Sequence, residues 1–153
     1  MEKLIDWSDE LSVGIEEIDN QHKILVDLVN QMHEAIIQHK ASSVVNEILD
    51  RLIDYTRIHF AVEESLMRIL HYPDYEKHKE QHDELTREVF ELKKKVDEGK
   101  VAIGFELMHF LKVWLTEHIM KDDKAYAPYF LEQGIKPRLQ KRSWLGKLWE
   151  HLH

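Results

Sequence analysis

The amino-acid sequence predicts an all-α protein: an up-down-up-down antiparallel four-helix bundle with an N-terminal arm and a short C-terminal helical tail. Four long segments repeat apolar residues every three or four positions, which is the period of one face of an α-helix. The breaks between these segments are short, and short connections between long helices make neighbouring helices antiparallel. We find no strand-like alternation of apolar and polar residues.

Each predicted helix is placed by its apolar stripe and by the break that follows it. The four helices are expected at about 19–39, at about 44–70, at about 74–97, and from about 101 to beyond 119. Ser42 or Ser43 is expected to cap the second helix with its hydroxyl. Pro73 interrupts the pattern between the second and third helices, and Gly99 lies in the break before the fourth.

Two flanking segments lie outside the predicted bundle. Residues 1–17 form the arm, which we assign with the bundle to one domain of residues 1–137. Residues 138–153 form a basic amphipathic tail that carries four Lys or Arg residues, one Glu and two Trp. Such a tail suits docking to a protein partner or to an anionic membrane surface. A short helix folded back onto the bundle, or a frayed end, is the simpler alternative.

Composition excludes several classes of function. The chain of 153 residues has the length of one domain, and its net charge of −8 argues against nucleic acid as a partner. Cysteine is absent, so disulfides, iron–sulfur clusters and thiolate zinc sites are excluded. No apolar run approaches the roughly 18 residues of a membrane span, and the N-terminus has no apolar signal core. We expect a cytoplasmic monomer.

Six ionisable side chains occupy stripe positions where a bundle core requires apolar residues. They are His22, His59, Glu63, His78, His82 and His118. Buried carboxylates and imidazoles are costly unless they find partners or bind metal. The predicted topology places all six within roughly 6–18 Å of the same end of the bundle, at a rise of about 1.5 Å per residue. They are therefore expected to meet at one level.

The local spacings favour metal binding at that level. His59 and Glu63, like His78 and His82, are four residues apart and so share a helix face. After His118, spacing alone favours the carboxylate four residues on rather than the one five residues on, which lies about 140° around a regular helix. Five imidazoles and two carboxylates are too many for one zinc and too rich in nitrogen for calcium or magnesium. They suit two first-row transition-metal ions.

With these residues, the sequence resembles the hemerythrin family, in particular its bacterial single-domain members, over about residues 5–131. The family pattern is His, then His-x-x-x-Glu, His-x-x-x-His and His-x-x-x-x-Asp. The matching positions are His22, His59, Glu63, His78, His82, His118 and Asp123. The resemblance favours Asp123 over Asp122, which implies that the backbone at 121–123 leaves regular helix geometry.

The resemblance implies a cofactor of two iron ions with an oxo or hydroxo bridge. One iron is expected on His78, His82 and His118. The other is expected on His22 and His59 and keeps one open position. Glu63 and Asp123 are expected to bridge the two. This arrangement implies reversible O₂ binding for carriage, storage or delivery.

The family's apolar O₂ pocket corresponds here to Leu25, Phe60, Trp114, Leu115 and Ile119. Plain core packing is the simpler role of these side chains, and we expect them to serve both purposes. A di-iron enzyme, with peroxidase-like activity or nitric oxide reduction, and an O₂ or redox sensor would use the same ligands, so both stay open as alternatives. No metal role is expected for His33, His39, His71, His109, His151 and His153.

Overall fold

The structure, a computed structural model, describes residues 3–99 and 105–138, except for the side chains at positions 105, 106 and 118. All regular structure in these ranges is helical, which confirms the all-α prediction. A single 3₁₀ turn, Asp9–Leu11, precedes the bundle. The first three helices are α1 (Glu16–Ile37), α2 (Ser42–Ile69) and α3 (Tyr75–Asp97). The fourth antiparallel segment consists of α4 (Phe105–Val113), a π-helical segment (Trp114–Met120) and α5 (Lys121–Glu132).

The expected serine cap of α2 is wrong. Ala41 is the N-cap residue, and no side chain caps this end of the helix. Ser42 is already the first helical residue, and the backbone N–H of Val44 donates to the Ala41 carbonyl at 3.0 Å. The turn closes through the backbone alone, so the hydroxyl that the sequence suggested as a cap is not needed.

The apolar stripes bury side chains in two clusters that a polar layer separates. The larger cluster begins at Leu25 on α1 and extends along the bundle. The smaller cluster includes Ile18 on α1 and Tyr126 on α5. His22 lies between Ile18 and Leu25 along α1, and Asp123 lies between the two clusters along the fourth segment. The ionisable stripe residues therefore form a layer inside the bundle, between two apolar regions.

The N-terminal arm is held against α1 by specific hydrogen bonds. The backbone N–H of Ile5 donates to Asn30 Oδ1, and the Asn30 amide donates to the Ile5 carbonyl, each at 2.9 Å. The Val13 N–H donates to Asp19 Oδ1 at 2.8 Å. The Val13 contact fixes the start of α1 about one turn before His22, and the Ile5 contacts hold the arm against the middle of the helix.

The departure from regular helix geometry lies earlier than expected. Residues from Lys121 onward are α-helical, so the expectation of an irregular backbone at 121–123 is wrong. The irregularity is the π segment, Trp114–Met120, whose hydrogen bonds span five residues instead of four. This wider turn changes which face the following residues present. Asp123 is consequently buried, at 1% exposure, whereas Asp122 is partly exposed.

Residues 139–153 lie outside the described part of the chain. The helical form of the tail and its docking role therefore stay predictions. Among the described helices, none combines the length and the apolar character that crossing a membrane requires.

Candidate metal centre

Six of the seven predicted ligands come together in the buried polar layer. They form two groups, and within each group one potential ligand atom per residue lies within 4.8 Å of all the others. One group is Glu63, His78, His82 and Asp123, and the other is His22, His59 and Asp123. Asp123 belongs to both groups. The three long helices and the start of α5 each contribute, as the bundle topology predicts.

Asp123 faces the two groups with different oxygens. Its Oδ2 lies 2.6 Å from His22 Nε2 and 2.9 Å from His59 Nε2. Its Oδ1 lies 3.7 Å from His78 Nε2. A carboxylate that presents one oxygen to each of two imidazole sets has the orientation of a bridging ligand.

Glu63 also lies between the two groups. Its Oε1 is 2.9 Å from His59 Nε2 and 3.6 Å from His82 Nε2. The side chain is completely buried. Both carboxylates are thus placed between the imidazoles of one group and those of the other.

Several atoms of this cluster are buried without a hydrogen-bond partner. They include His78 Nε2, His82 Nε2, Glu63 Oε2 and Asp123 Oδ1. An unsatisfied buried donor or acceptor costs about 1–3 kcal/mol, and more when it is charged. Imidazole nitrogen and carboxylate oxygen atoms are common metal ligands, and the potential ligand atoms of each group lie within 4.8 Å of one another. The donor set therefore fits transition-metal ions.

The pKa shifts of the cluster residues show that positive charge stabilises the cluster. Burial opposes a charge on His59, but Glu63 and Asp123 outweigh burial and raise its pKa to about 10. Burial and the charge of Asp123 raise the pKa of Glu63. Burial would raise the pKa of Asp123, but hydrogen bonds from His22 and His59 hold it well below its ordinary value. In the metal-free protein, protons supply the charge that metal ions would otherwise bring.

The metal-free protein is therefore expected to lose stability as the pH rises from 6.5 to 10. A raised folded-state pKa of His59 stabilises the fold fully below its ordinary value of 6.5, and this contribution disappears as the pH approaches about 10. The raised pKa of Glu63 acts in the same direction. The loss should be on the order of a few kcal/mol, at about 1.4 kcal/mol per pKa unit. Urea unfolding across this range measures it.

The metal-loaded protein is the control for this pH series. Metal ions displace the protons, so its unfolding free energy should change much less over the same range. Equal pH dependence in the two forms would contradict the electrostatic description of the cluster.

Two side chains outside the cluster orient its imidazoles. His59 Nδ1 lies 2.6 Å from Gln21 Oε1, and His82 Nδ1 lies 3.0 Å from Glu64 Oε2. Each acceptor favours the tautomer with hydrogen on Nδ1, which leaves Nε2 free to bind metal. Sequence reasoning assigned no role to Gln21 or Glu64. Their only signal is that each is adjacent in sequence to a predicted ligand.

The remaining residues named in the sequence analysis divide into four sets. The side chain of His118 lies outside the described ones, although its backbone is part of the π segment. The five expected pocket residues are all buried in the larger apolar cluster: Leu25, Phe60, Trp114, Leu115 and Ile119. Four other histidines belong to neither metal group: His33, His39, His71 and His109. His151 and His153 lie outside the described residues.

Two of the pocket residues contact the surroundings of the cluster directly. The Phe60 ring stacks on the His82 imidazole with a centroid distance of 3.8 Å and an interplanar angle of 5°. The Trp114 indole N–H donates to the Leu85 carbonyl at 3.1 Å, which anchors the start of the π segment against α3. Phe60 therefore places an apolar ring directly against the polar layer, and Trp114 packs close by on α3.

Comparison with known proteins agrees with this geometry. Residues 13–130 match the hemerythrin HHE cation binding domain. The chain is 40% identical over 121 residues to a bacteriohemerythrin of Pseudomonas aeruginosa strain LESB58, covering 79% of this chain and 78% of that protein. It is 36% identical over 147 residues to a bacteriohemerythrin of Stenotrophomonas maltophilia strain R551-3, covering 94% of each.

Solved structures give the same result. The fold is similar to a crystal structure of wild-type hemerythrin, with a TM-score of 0.72 and 34% identity, covering 82% of this chain and 96% of that one. A crystal structure of a hemerythrin mutant gives a TM-score of 0.75 and 32% identity, covering 84% of this chain and 98% of that one. The family match spans most of the bundle and includes the whole polar layer. On these grounds the chain belongs to the hemerythrin family.

Proposed function

We propose that this protein binds O₂ reversibly at a non-haem di-iron centre and serves in oxygen carriage, storage or delivery. The observation that carries the proposal is the pair of buried metal-ligand groups that share Asp123. A single ion does not need two groups of this kind. The membership in the hemerythrin family supports iron as the metal.

The two groups of side chains would each hold one ion. His22 and His59 would hold one, and His78 and His82 would hold the other, together with His118 as the family pattern implies. Glu63 and Asp123 lie between the two groups and would be shared by both ions. A pair of iron(II) ions bound by these residues would supply the reversible two-electron chemistry that O₂ binding requires.

The surrounding residues keep water away from the centre. The pocket residues Leu25, Phe60, Trp114, Leu115 and Ile119 offer no hydrogen-bonding group on the side facing the cluster, apart from the indole N–H that already donates to Leu85. A dry wall hinders proton delivery to bound, reduced oxygen, and so slows the irreversible oxidation of the metal centre. The same side chains also complete the bundle core. Packing and protection are thus served by one set of residues.

Replacing Leu115 by alanine tests the protective role of this wall. Leu115 is completely buried, so truncation opens space beside the centre. We expect water to enter and autoxidation of the iron-loaded protein to accelerate several-fold, measured optically in air. Leu111→Ala is the matched control, since Leu111 is equally buried one turn earlier and is not a pocket residue. Equal autoxidation rates in the two variants would remove the pocket from the account.

Measurement of O₂ uptake separates the proposed function from an enzyme on the same site. The reduced, iron-loaded protein should take up one O₂ per pair of irons and return it when the O₂ pressure falls. Added reductant should not cause continued consumption. Sustained consumption of O₂, peroxide or nitric oxide with a reductant would instead favour the di-iron enzyme.

A further inference from the structure

The candidate centre has two halves, one with His78 and His82 and the other with His22 and His59. They differ in the side chain that accepts a hydrogen bond from the Nδ1 atom of one histidine. On one half, the Glu64 carboxylate accepts from His82 Nδ1 at 3.0 Å. On the other half, the Gln21 amide oxygen accepts from His59 Nδ1 at 2.6 Å. The acceptor is anionic in the first case and neutral in the second. This difference in charge lies in two residues, Gln21 and Glu64, that are not predicted metal ligands.

His82 is held firmly in the orientation that this contact requires. Its ring is stacked on Phe60, and only 2% of the residue is exposed. Its Nε2 is buried and lies 3.6 Å from Glu63 Oε1. Glu64 therefore acts on an imidazole whose other nitrogen already points into the metal-binding layer.

Glu64 is in turn part of a short chain of charges that leads to the surface. Its side chain is 20% exposed, and its Oε1 lies 3.6 Å from the Lys79 ammonium. Lys79 is 37% exposed and also pairs with Asp83 at 3.2 Å. The Lys79 ammonium partly neutralises the negative charge of Glu64 and so weakens its effect on His82.

An anionic acceptor strengthens the imidazole as a metal ligand. A carboxylate that accepts the Nδ1 hydrogen increases the electron density at Nε2, and charge-assisted hydrogen bonds are roughly twice as strong as neutral ones. A more basic ligand stabilises the higher oxidation state of the metal that it binds. An amide acceptor fixes the same orientation with much less effect on basicity.

We propose that Glu64 is a positioning residue that lowers the reduction potential of the metal held by His82 relative to the one held by His59, and that Lys79 moderates this effect. The proposal rests on the proposed di-iron function. It assigns the two halves different redox properties through residues that do not touch the metal.

The charge of Glu64 is tested with variants that preserve the hydrogen bond. Glu64→Gln retains an oxygen acceptor for His82 Nδ1 and removes only the charge. In the iron-loaded protein, we expect its midpoint potential, measured by spectroelectrochemical titration, to move to more positive values. The affinity of the metal-free variant for Zn²⁺ should fall by about 10-fold or more. Gln21→Glu is the converse variant, and its midpoint potential should move to more negative values.

Lys79→Met gives an independent test that leaves Glu64 and His82 unchanged. Removing the cation should shift the midpoint potential in the direction opposite to Glu64→Gln. Lys79 is 37% exposed, so solvent screens its direct effect on the metal, and a purely structural role of Glu64 predicts at most a small shift in this variant. If Glu64→Gln cannot be loaded with iron, Lys79→Met decides the question.

The outcomes separate this proposal from the proposed function. Wild-type protein that does not bind two irons would contradict the di-iron function itself. Wild-type protein that binds two irons, with potentials unchanged in Glu64→Gln and Lys79→Met, would overturn the role of Glu64 alone.

Discussion

Replacing Asp123 by alanine is expected to release both metal ions. Asp123 is the one residue common to the two metal-ligand groups of the described side chains, and its two oxygens face different imidazoles. Its loss removes a ligand from each ion and leaves the positive charges of the pair less compensated. Iron analysis after reconstitution should show an affinity reduced by more than ~10-fold at both positions.

The neighbouring carboxylate provides a matched control for this experiment. Asp122→Ala removes the same group one position earlier, on a partly exposed part of the same helix. It should bind two irons as the unchanged protein does. Full metal content in Asp123→Ala, or a larger loss in Asp122→Ala, would show that the bridging ligand has been misassigned.

Replacing His118 by alanine is expected to release one of the two ions. The family pattern assigns His118 to the ion held by His78 and His82, so that ion would lose one of its three imidazoles. The iron content after gel filtration should fall by about half. Loss of a direct ligand should weaken binding by at least the ~10-fold that follows when a hydrogen-bond partner of a ligand is removed. The remaining ion should stay with His22 and His59.

His109→Ala is the control for this variant. His109 lies on α4 of the same antiparallel segment, is exposed and belongs to neither metal group. Its replacement should leave the iron content unchanged. Binding of two irons in His118→Ala would refute the assignment of that histidine.

The helices could be predicted from the sequence because burial determines them. The stripe on α1 from Ile18 to Met32 is buried as its period requires. The helix ends were less predictable, since they depend on backbone turns that leave little trace in residue type. The N-cap at Ala41 is an example: the hydroxyls of Ser42 and Ser43 pointed to a cap that the backbone does not use.

The polar layer was predictable for a similar reason. Ionisable residues on apolar stripes stand out, and the bundle topology brings them to one level without further information. The side of the helix on which the last carboxylate lies was not predictable from spacing. It depends on the π segment, whose start is anchored to α3 by the hydrogen bond from Trp114 to Leu85, a contact that residue spacing does not reveal.

The orienting residues could not be predicted because their role depends on side-chain direction. Gln21 and Glu64 are polar residues next to ligands, like many residues on a helix surface. Only the three-dimensional contacts with His59 Nδ1 and His82 Nδ1 distinguish them.

The most direct test of the account is the optical spectrum of the reduced, iron-loaded protein. It is recorded without O₂, after addition of air, and again after the O₂ has been removed. Reversible binding at a di-iron centre predicts a visible absorption band that develops with O₂ and disappears when the gas is withdrawn, over repeated cycles. A permanent change to the spectrum of an oxidised di-iron(III) protein in the first cycle would contradict it.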